Sequence, residues 1–462
     1  MPKSQEIIFI LVLLLISLFI SKIITSHPNV LILGIIISII VLFISFFNPQ
    51  IGLAFLVFSM LLSPEIKVGG VPGRDVVVRI DDLLIFAIFL GWFGNSVFTK
   101  KLEIIITESL LPIFLYTLST IVSTYFGIIS GHVLFSKSIF YLLKYVEYFI
   151  IYFLVTQIVN NIKQVKLYIT LFLITSVIVN LHGYSLIGKV DRLYAPFDAP
   201  EAELTVGVPA SSGEANTYGG YLIIIMSLLL SLFCFSESMT KNFLYLGLLI
   251  FSLVPFAYTK SRSSYLAFLP MVLTIVLLTE KKRNLIIGGV LLLFAVSPIV
   301  FPEATKTVVE RIQETFAGPT YSEEEAVILG FKVKELSALA RVKSWKKAFT
   351  EFIPNRPLLG YGVTGVGLVD TQIPLIIGEV GLVGLTFFLW LIFSIFKTAY
   401  ITFKTVVDPL YKSVSLSVVS SLVALLVQSI GANTFIIVRI MEPFWFLYGL
   451  VAICKDRDDE RI

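Results

Sequence analysis

The chemistry-bearing residues of this chain concentrate between Ala338 and Leu385, a stretch reading ALARVKSWKKAFTEFIPNRPLLGYGVTGVGLVDTQIPLIIGEVGLVGL. At a helical period of 100° per residue, Ser337, Ala338, Trp345, Ala348, Phe349 and Phe352 share a face with Arg341. Lys343, Lys346, Lys347, Thr350 and Glu351 lie opposite. Arg341 therefore sits on the apolar side, where an isolated charge is costly. Its partner is either a carboxylate of the protein or the phosphate of a ligand, since a planar guanidinium grips both. Pro354 and Pro357 end the helix, and Gly360, Gly362, Gly365 and Gly367 punctuate a loop that returns to apolar sequence at Gln372. Asp370 stands at that return, either as a base or as the cap of the following helix.

Other charges recur beside apolar runs. Thr259-Lys260-Ser261-Arg262 joins two hydrophobic segments with hardly any loop, so Lys260 and Arg262 are held at one rim. They either snorkel to lipid headgroups or belong to the site of Arg341, and the second reading is preferred. Lys67 to Asp82 carries Arg79, Asp81 and Asp82; the two acids suit a helix start, while Arg79 is a candidate for a phosphate pocket. Gly188 to Tyr218 carries Lys189, Arg192, Asp198, Glu201, Glu203 and Glu214, the last being either a helix-entry acid or a supporting site residue. Lys144 and Glu147, three residues apart, can pair on one helix face, and a pair fastening helices is preferred over a functional one.

The elements that position these residues are membrane spans. The chain has 462 residues, 57% hydrophobic and 14% charged, with mean hydropathy +0.93. That composition excludes an ordinary soluble globular protein and predicts an all-α, polytopic transmembrane bundle. Apolar runs at 7–24, 30–47, 51–62, 83–98, 110–129, 139–159, 167–187, 218–235, 243–258, 265–278, 285–301, 373–396, 414–433 and 440–453 suggest about 12 to 14 spans. The run 51–62 is short enough to be merged with its neighbour or re-entrant. Residues 1–462 read as one integral membrane domain, with 302–371 a long, partly helical loop inserted between spans. Basic residues such as Lys100, Lys101, Lys281, Lys282, Arg283, Lys404 and Lys412 fall on the side that carries both termini. The termini are thus expected in the cytoplasm and 302–371 outside. A formal charge of +4 spread over many loops gives no sign of nucleic-acid binding, and Cys234 and Cys454 offer no disulfide framework. His27, His132 and His182 lack ligand spacing, which argues against a metal-dependent mechanism.

The 338–385 stretch resembles the O-antigen ligase and polymerase superfamily of membrane glycosyltransferases. Members look like R-x3-W-x2-A-x-x-F, then P-L-L-G-x-G, then H-N-x-x-L followed by E-x-G-x-x-G. Arg341, Trp345, Ala348, Pro357 to Gly360, Gly362, Glu379, Gly381 and Gly384 match, and Thr259 to Arg262 and the GEANTYGGYL entry to a span are similar to family features. Asp370 and Thr371 stand where the ligase-type pattern has His and Asn.

The resemblance implies glycan transfer from a polyprenyl diphosphate to an acceptor hydroxyl at the outer face of the cytoplasmic membrane, with no cofactor. Arg262 and Arg341 would bind the diphosphate, with Lys260, Arg192 and Arg439 as further cations and Glu214, Arg79 and Glu379 as supporting residues. Asp370 would act as base. Its carboxylate in the histidine slot favours a repeat-unit polymerase of O-antigen, capsular or exopolysaccharide over a ligase acting on a lipid or protein acceptor. The expected partners are the lipid-linked donor, the glycan acceptor, the bilayer and other envelope assembly proteins. A transporter of the same lipid is the competing class, and matched broken spans in two halves, its usual mark, are missing. An assembly scaffold leaves Arg341 unexplained.

Overall fold

The computed structural model describes residues 30–71, 74–100, 103–197, 214–300, 302–317, 326–328, 331–333, 336–367 and 369–454. The expected first span at 7–24 lies outside them, as do Asp198, Glu201 and Glu203. The elements run α1 (Val30–Phe47), α2 (Pro49–Leu62), β1 (Glu65–Val71), β2 (Arg74–Arg79), α3 (Ile80–Phe98), α4 (Leu110–Ile129), α5 (Phe135–Ile158), α6 (Ile162–Leu186), α7 (Ala215–Phe235), α8 (Met239–Tyr258), α9 (Arg262–Leu278) and α10 (Arg283–Val300). There follow α11 (Pro302–Ala317), β3 (Ala326–Ile328), β4 (Phe331–Val333), α12 (Leu336–Lys347), α13 (Gln372–Thr405), α14 (Pro409–Gln428) and α15 (Val438–Ala452). Among the described residues nine helices are long and apolar enough to cross a membrane, and the fold is an all-α polytopic bundle. Each expected run from 30 onward is a separate helix. The doubtful one, α2, is 14 residues long and parts from α1 at Asn48-Pro49, because proline at the second helix's first position cannot continue the first.

Helix α7 is the axis, buried along its whole apolar length. It packs against α8, α9, α14 and α15. Its seam with α14 is lined by small residues. Ser227 Oγ donates to the Ser417 carbonyl at 2.9 Å and meets Ser420 Oγ at 2.5 Å, while Ser413, Ser415 and Ser421 are also buried. Water offers no hydrophobic push between helices inside a bilayer, so close approach through small side chains and interhelical hydrogen bonds holds the seam instead. The outer helices turn apolar groups outward: Phe86, Phe93, Phe114, Leu118 and Phe393 are all exposed.

Two antiparallel hairpins, β1–β2 and β3–β4, sit in the connections. No alternation in the sequence drew attention to them. Segment 302–371 is partly helical, as expected, through α11 and α12, and it also holds the β3–β4 hairpin.

Candidate functional site

Helix α12 carries Arg341 and runs directly into a π-helical turn, Ala348–Phe352. The extra residue per turn shifts the register, which corrects the expected face. Ser344, Ala348 and Phe352 point inward, whereas Phe349 is 59% exposed and stacks on Trp345. Lys343, Lys346 and Lys347 are exposed, as the period required.

Beyond the turn, the glycine loop docks on a break in α13. Gly381 there has φ +70°, ψ −169°, so the helix is interrupted and its backbone groups become available. Tyr361 N donates to Gly378 O and Gly362 N to Glu379 O, both at 2.8 Å; in return Leu382 N donates to Pro357 O at 2.8 Å and Val383 N to Leu358 O at 3.2 Å. Two sequence motifs, P-L-L-G-Y-G and E-V-G-L-V-G, thus form one backbone-to-backbone joint. Gly360 (φ +65°) cannot be replaced without strain, because a Cβ there would come within 2.5 Å of the Gly378 carbonyl. The Glu379 carboxylate braces the joint, accepting Thr364 N at 2.8 Å and the Tyr145 hydroxyl at 3.0 Å.

This joint delivers Asp370 to the Arg341 helix. Asp370 N donates to Ser344 Oγ at 3.2 Å, and Ser344 lies one turn on from Arg341 on the same face. The carboxyl is pushed above the ordinary aspartate range by burial, and the Arg341 charge pulls it part of the way back. Thr371, not Asp370, holds the N-cap position of α13, without a side-chain capping bond.

A third wall is the α14–α15 turn. Gln372 N donates to Ser429 O at 3.2 Å, Phe435 N to Gln372 Oε1 at 2.9 Å, and Asn433 Nδ2 to Val369 O at 2.5 Å. The Arg341 guanidinium lies on Gly431: a Cβ built there would be 3.4 Å from Arg341 Cζ and 3.0 Å from Ser263 Cβ. Ser263 belongs to the first turn of α9, beside Arg262. Ser261 caps that helix and donates to Asn216 Oδ1 at 2.7 Å; Gln428 Nε2 donates to Asn216 O at 3.0 Å and to Ser264 Oγ at 2.9 Å. The α7 start, the α9 start, the α14 end and α12 therefore converge on one polar end of the bundle.

Lys260 and Arg192 flank it. Lys260 Nζ pairs with Asp191 at 2.8 Å, and Arg192 Nε donates to the Thr259 carbonyl at 3.3 Å. Glu214 occupies the N-cap position of α7, two residues before Asn216, and accepts from Thr217 Oγ1 at 3.2 Å.

Arg439 and Arg79 have other employment. Arg439 is buried on α15, and its donors go to Glu65 Oε1 and to the carbonyls of Leu61, Ser63, Pro196 and Phe197. Arg79 is 2% exposed and ion-paired with Asp81 at 2.9 Å and Glu442 at 2.8 Å. Asp82 caps α3 by accepting Arg79 N at 3.0 Å. Lys144 and Glu147 do pair, at 3.2 Å, within the same group of charges.

Sequence reasoning missed Ser263, Ser344, Gln428, Gly431 and Asn433. A usable signal existed, because polar residues at the end of an otherwise apolar span, such as Gln428 to Asn433, are functional candidates by default.

Residues 246–379 match the family model described as O-antigen ligase. No curated protein matches the chain. The matched stretch begins inside α8, takes in the α9 turn, α12 and the glycine loop, and ends on the glutamate that braces the joint. Over this stretch the chain carries a domain similar to the O-antigen ligase family, which supports a place in the O-antigen ligase and polymerase superfamily.

Proposed function

We propose that the protein is a polymerase of polyprenyl-diphosphate-linked oligosaccharide repeat units, of the kind built into O-antigen, capsular or exopolysaccharide, acting at the outer face of the cytoplasmic membrane. The observation that carries the reading is the placement of Arg341 on Gly431, beside Asp370 and against the first turn of α9. A helix start and a guanidinium at one point suit an anionic ligand, because the helix dipole and a fixed positive charge both favour phosphate there.

In the proposed reaction the acceptor hydroxyl oxygen bonds to the anomeric carbon of the donor as the bond from that carbon to the diphosphate oxygen breaks. The electron pair leaves with the polyprenyl diphosphate, whose growing charge Arg341 and Arg262 stabilise. The hydroxyl proton passes to the Asp370 carboxylate. Burial makes that carboxylate a stronger base than an exposed one, while the Arg341 charge opposes part of that shift. Lys260 and Arg192, at the rim, would attract the anionic donor rather than take part in bond making. Both termini would face the cytoplasm. Transfer to a lipid or protein acceptor, as a ligase performs, uses the same machinery; Asp370 in the histidine position favours polymerisation.

Reconstitution in vesicles with a lipid-diphosphate repeat unit alone tests this. Growth of a ladder of products supports a polymerase. Transfer that occurs only when a separate lipid or protein acceptor is added would assign a ligase instead.

A further inference from the structure

Away from the Arg341 site, six ionisable side chains meet inside the bundle where β2, α3, α5 and α15 come together. Arg79 Nη2 lies 2.9 Å from Asp81 Oδ2, 2.8 Å from Glu442 Oε1 and 3.7 Å from Glu147 Oε1. Lys144 Nζ lies 2.5 Å from Asp82 Oδ2 and 3.2 Å from Glu147 Oε2. Asp81 and Glu442 are fully buried, and Glu147 nearly so. Among the described residues the further cation facing the group, Arg439 on α15, is itself paired with Glu65 at 2.9 Å. Two cations therefore confront four carboxyls, a formal excess of two negative charges.

Such an excess is not tolerable in a low-dielectric interior. The cost of an uncompensated buried carboxylate is large enough that the group takes a proton or a counter-ion instead. One oxygen each from Asp81, Glu147 and Glu442 lies within 4.8 Å of the others, an arrangement in which like charges repel strongly. A metal ion is a poor answer, since Arg79 Nη2 already occupies the point on which those oxygens converge. Two fully buried oxygens, Asp81 Oδ1 and Glu442 Oε2, also have no hydrogen-bond partner. A carboxylic acid proton would supply what this geometry lacks. We propose that this cluster is a proton-binding site that holds two protons in the folded protein at neutral pH, shared among Glu442, Glu147 and Asp81.

The site sits where it can affect function. Glu442 lies in the first turns of α15, immediately after the turn that presents Gly431 to Arg341. Loss of the protons would force like charges apart and loosen α15 from α3 and α5. The sign follows from linkage: at neutral pH the folded state still holds protons that the unfolded chain has already released at lower pH, so stability falls as pH rises. Two such protons steepen the fall to about a hundredfold in the folded-to-unfolded ratio per pH unit, one to about tenfold.

The test is thermal unfolding of the full chain in detergent from pH 6 to pH 9, for wild type, Glu442→Gln, Glu147→Gln and the double variant. Glutamine mimics the protonated acid. The expected result is a wild-type midpoint that drops with pH, a shallower drop in each single variant, and a nearly flat profile in the double variant, which is at least as stable as wild type at pH 9. An unchanged slope, or variants weaker than wild type at every pH, overturns the proposal. Infrared spectroscopy of wild type alone guards against variants that fail to fold: a protonated-carboxyl band persisting above pH 7 is expected, and its absence overturns the proposal. A magnesium-dependent rise in the wild-type midpoint, lost in the double variant, would show a cation in place of the protons and overturn it as well.

Discussion

Glu379 accepts the backbone N–H of Thr364 at 2.8 Å, which ties the glycine loop to α13 immediately before the helix breaks at Gly381. The same carboxylate takes the Tyr145 hydroxyl of α5 at 3.0 Å. Glu379→Ala should take the acceptor from both donors, costing about 3 to 5 kcal/mol for loss of two bonds to a carboxylate. Glu379→Gln keeps an oxygen for Thr364 and should cost about 1 to 2 kcal/mol. Unfolding midpoints of the two variants, with Tyr145→Phe closing a double-mutant cycle, measure this. Equal midpoints for Ala and Gln would mean that the bonds do not hold the joint.

Arg262→Lys and Arg341→Lys should each lose most glycan transfer while the protein stays folded. A lysine keeps the charge and gives up the bidentate fork. Lys343→Ala and Lys347→Ala alter exposed residues on the opposite side of α12 and should transfer at near wild-type rates. Near-normal polymer from both arginine variants would reduce those residues to surface anchors.

Asp370→Asn preserves shape and removes basicity. Turnover should fall by ~10²- to 10⁴-fold with donor binding intact. Because burial raises the Asp370 carboxyl above the usual range, the wild-type rate should fall as pH drops through that raised value, so the acid limb lies at higher pH than an exposed aspartate would give. A variant as active as wild type would remove Asp370 from the chemistry; loss of donor binding along with turnover would make it a binding residue.

Gly431→Ala places a methyl 3.0 Å from Ser263 Cβ and in contact with Arg341 Cζ at 3.4 Å, so the first turn of α9, and with it the distance between that turn and Arg341, must change by a few tenths of an ångström. Misplacement on that scale should slow transfer by about tenfold or more. The unfolding midpoint should change little, because Gly431 lies in the turn after α14 and the displacement needed is small. A normal rate would mean that the position of Arg341 over the turn is not critical.

Topology is testable by labelling. With the termini inside, Lys306→Cys on α11 should react with a membrane-impermeant maleimide in intact cells, in a background lacking Cys234 and Cys454. Lys281→Cys should react only after the membrane is breached. The reverse pattern would invert the orientation and move the Arg341 site to the cytoplasmic face.

The sequence by itself determined the fold class and the place of each described span, although α13 runs on to Thr405, well past the expected end at 396. Apolar runs long enough to cross a bilayer have one stable solution there, a helix that satisfies its own backbone. It also singled out Arg341 and the two halves of the glycine joint, since a cation on an apolar face and closely spaced glycines are local features. Only the tertiary structure decided that P-L-L-G-Y-G and E-V-G-L-V-G pair through their backbones, because that pairing depends on positive φ at Gly360, Gly362 and Gly381. The same holds for Gly431 and Ser263, which lie far from Arg341 in sequence and meet it only through helix packing. The π turn at Ala348 misdirected the face assignment for Phe349, as no composition marks where one extra residue enters a turn. The sequence pairs Lys144 only with Glu147 on its own helix, and folding adds Asp82, Arg79 and Glu442 to that pair. Long-range electrostatics is set by which helices touch, and a linear pattern does not contain that information.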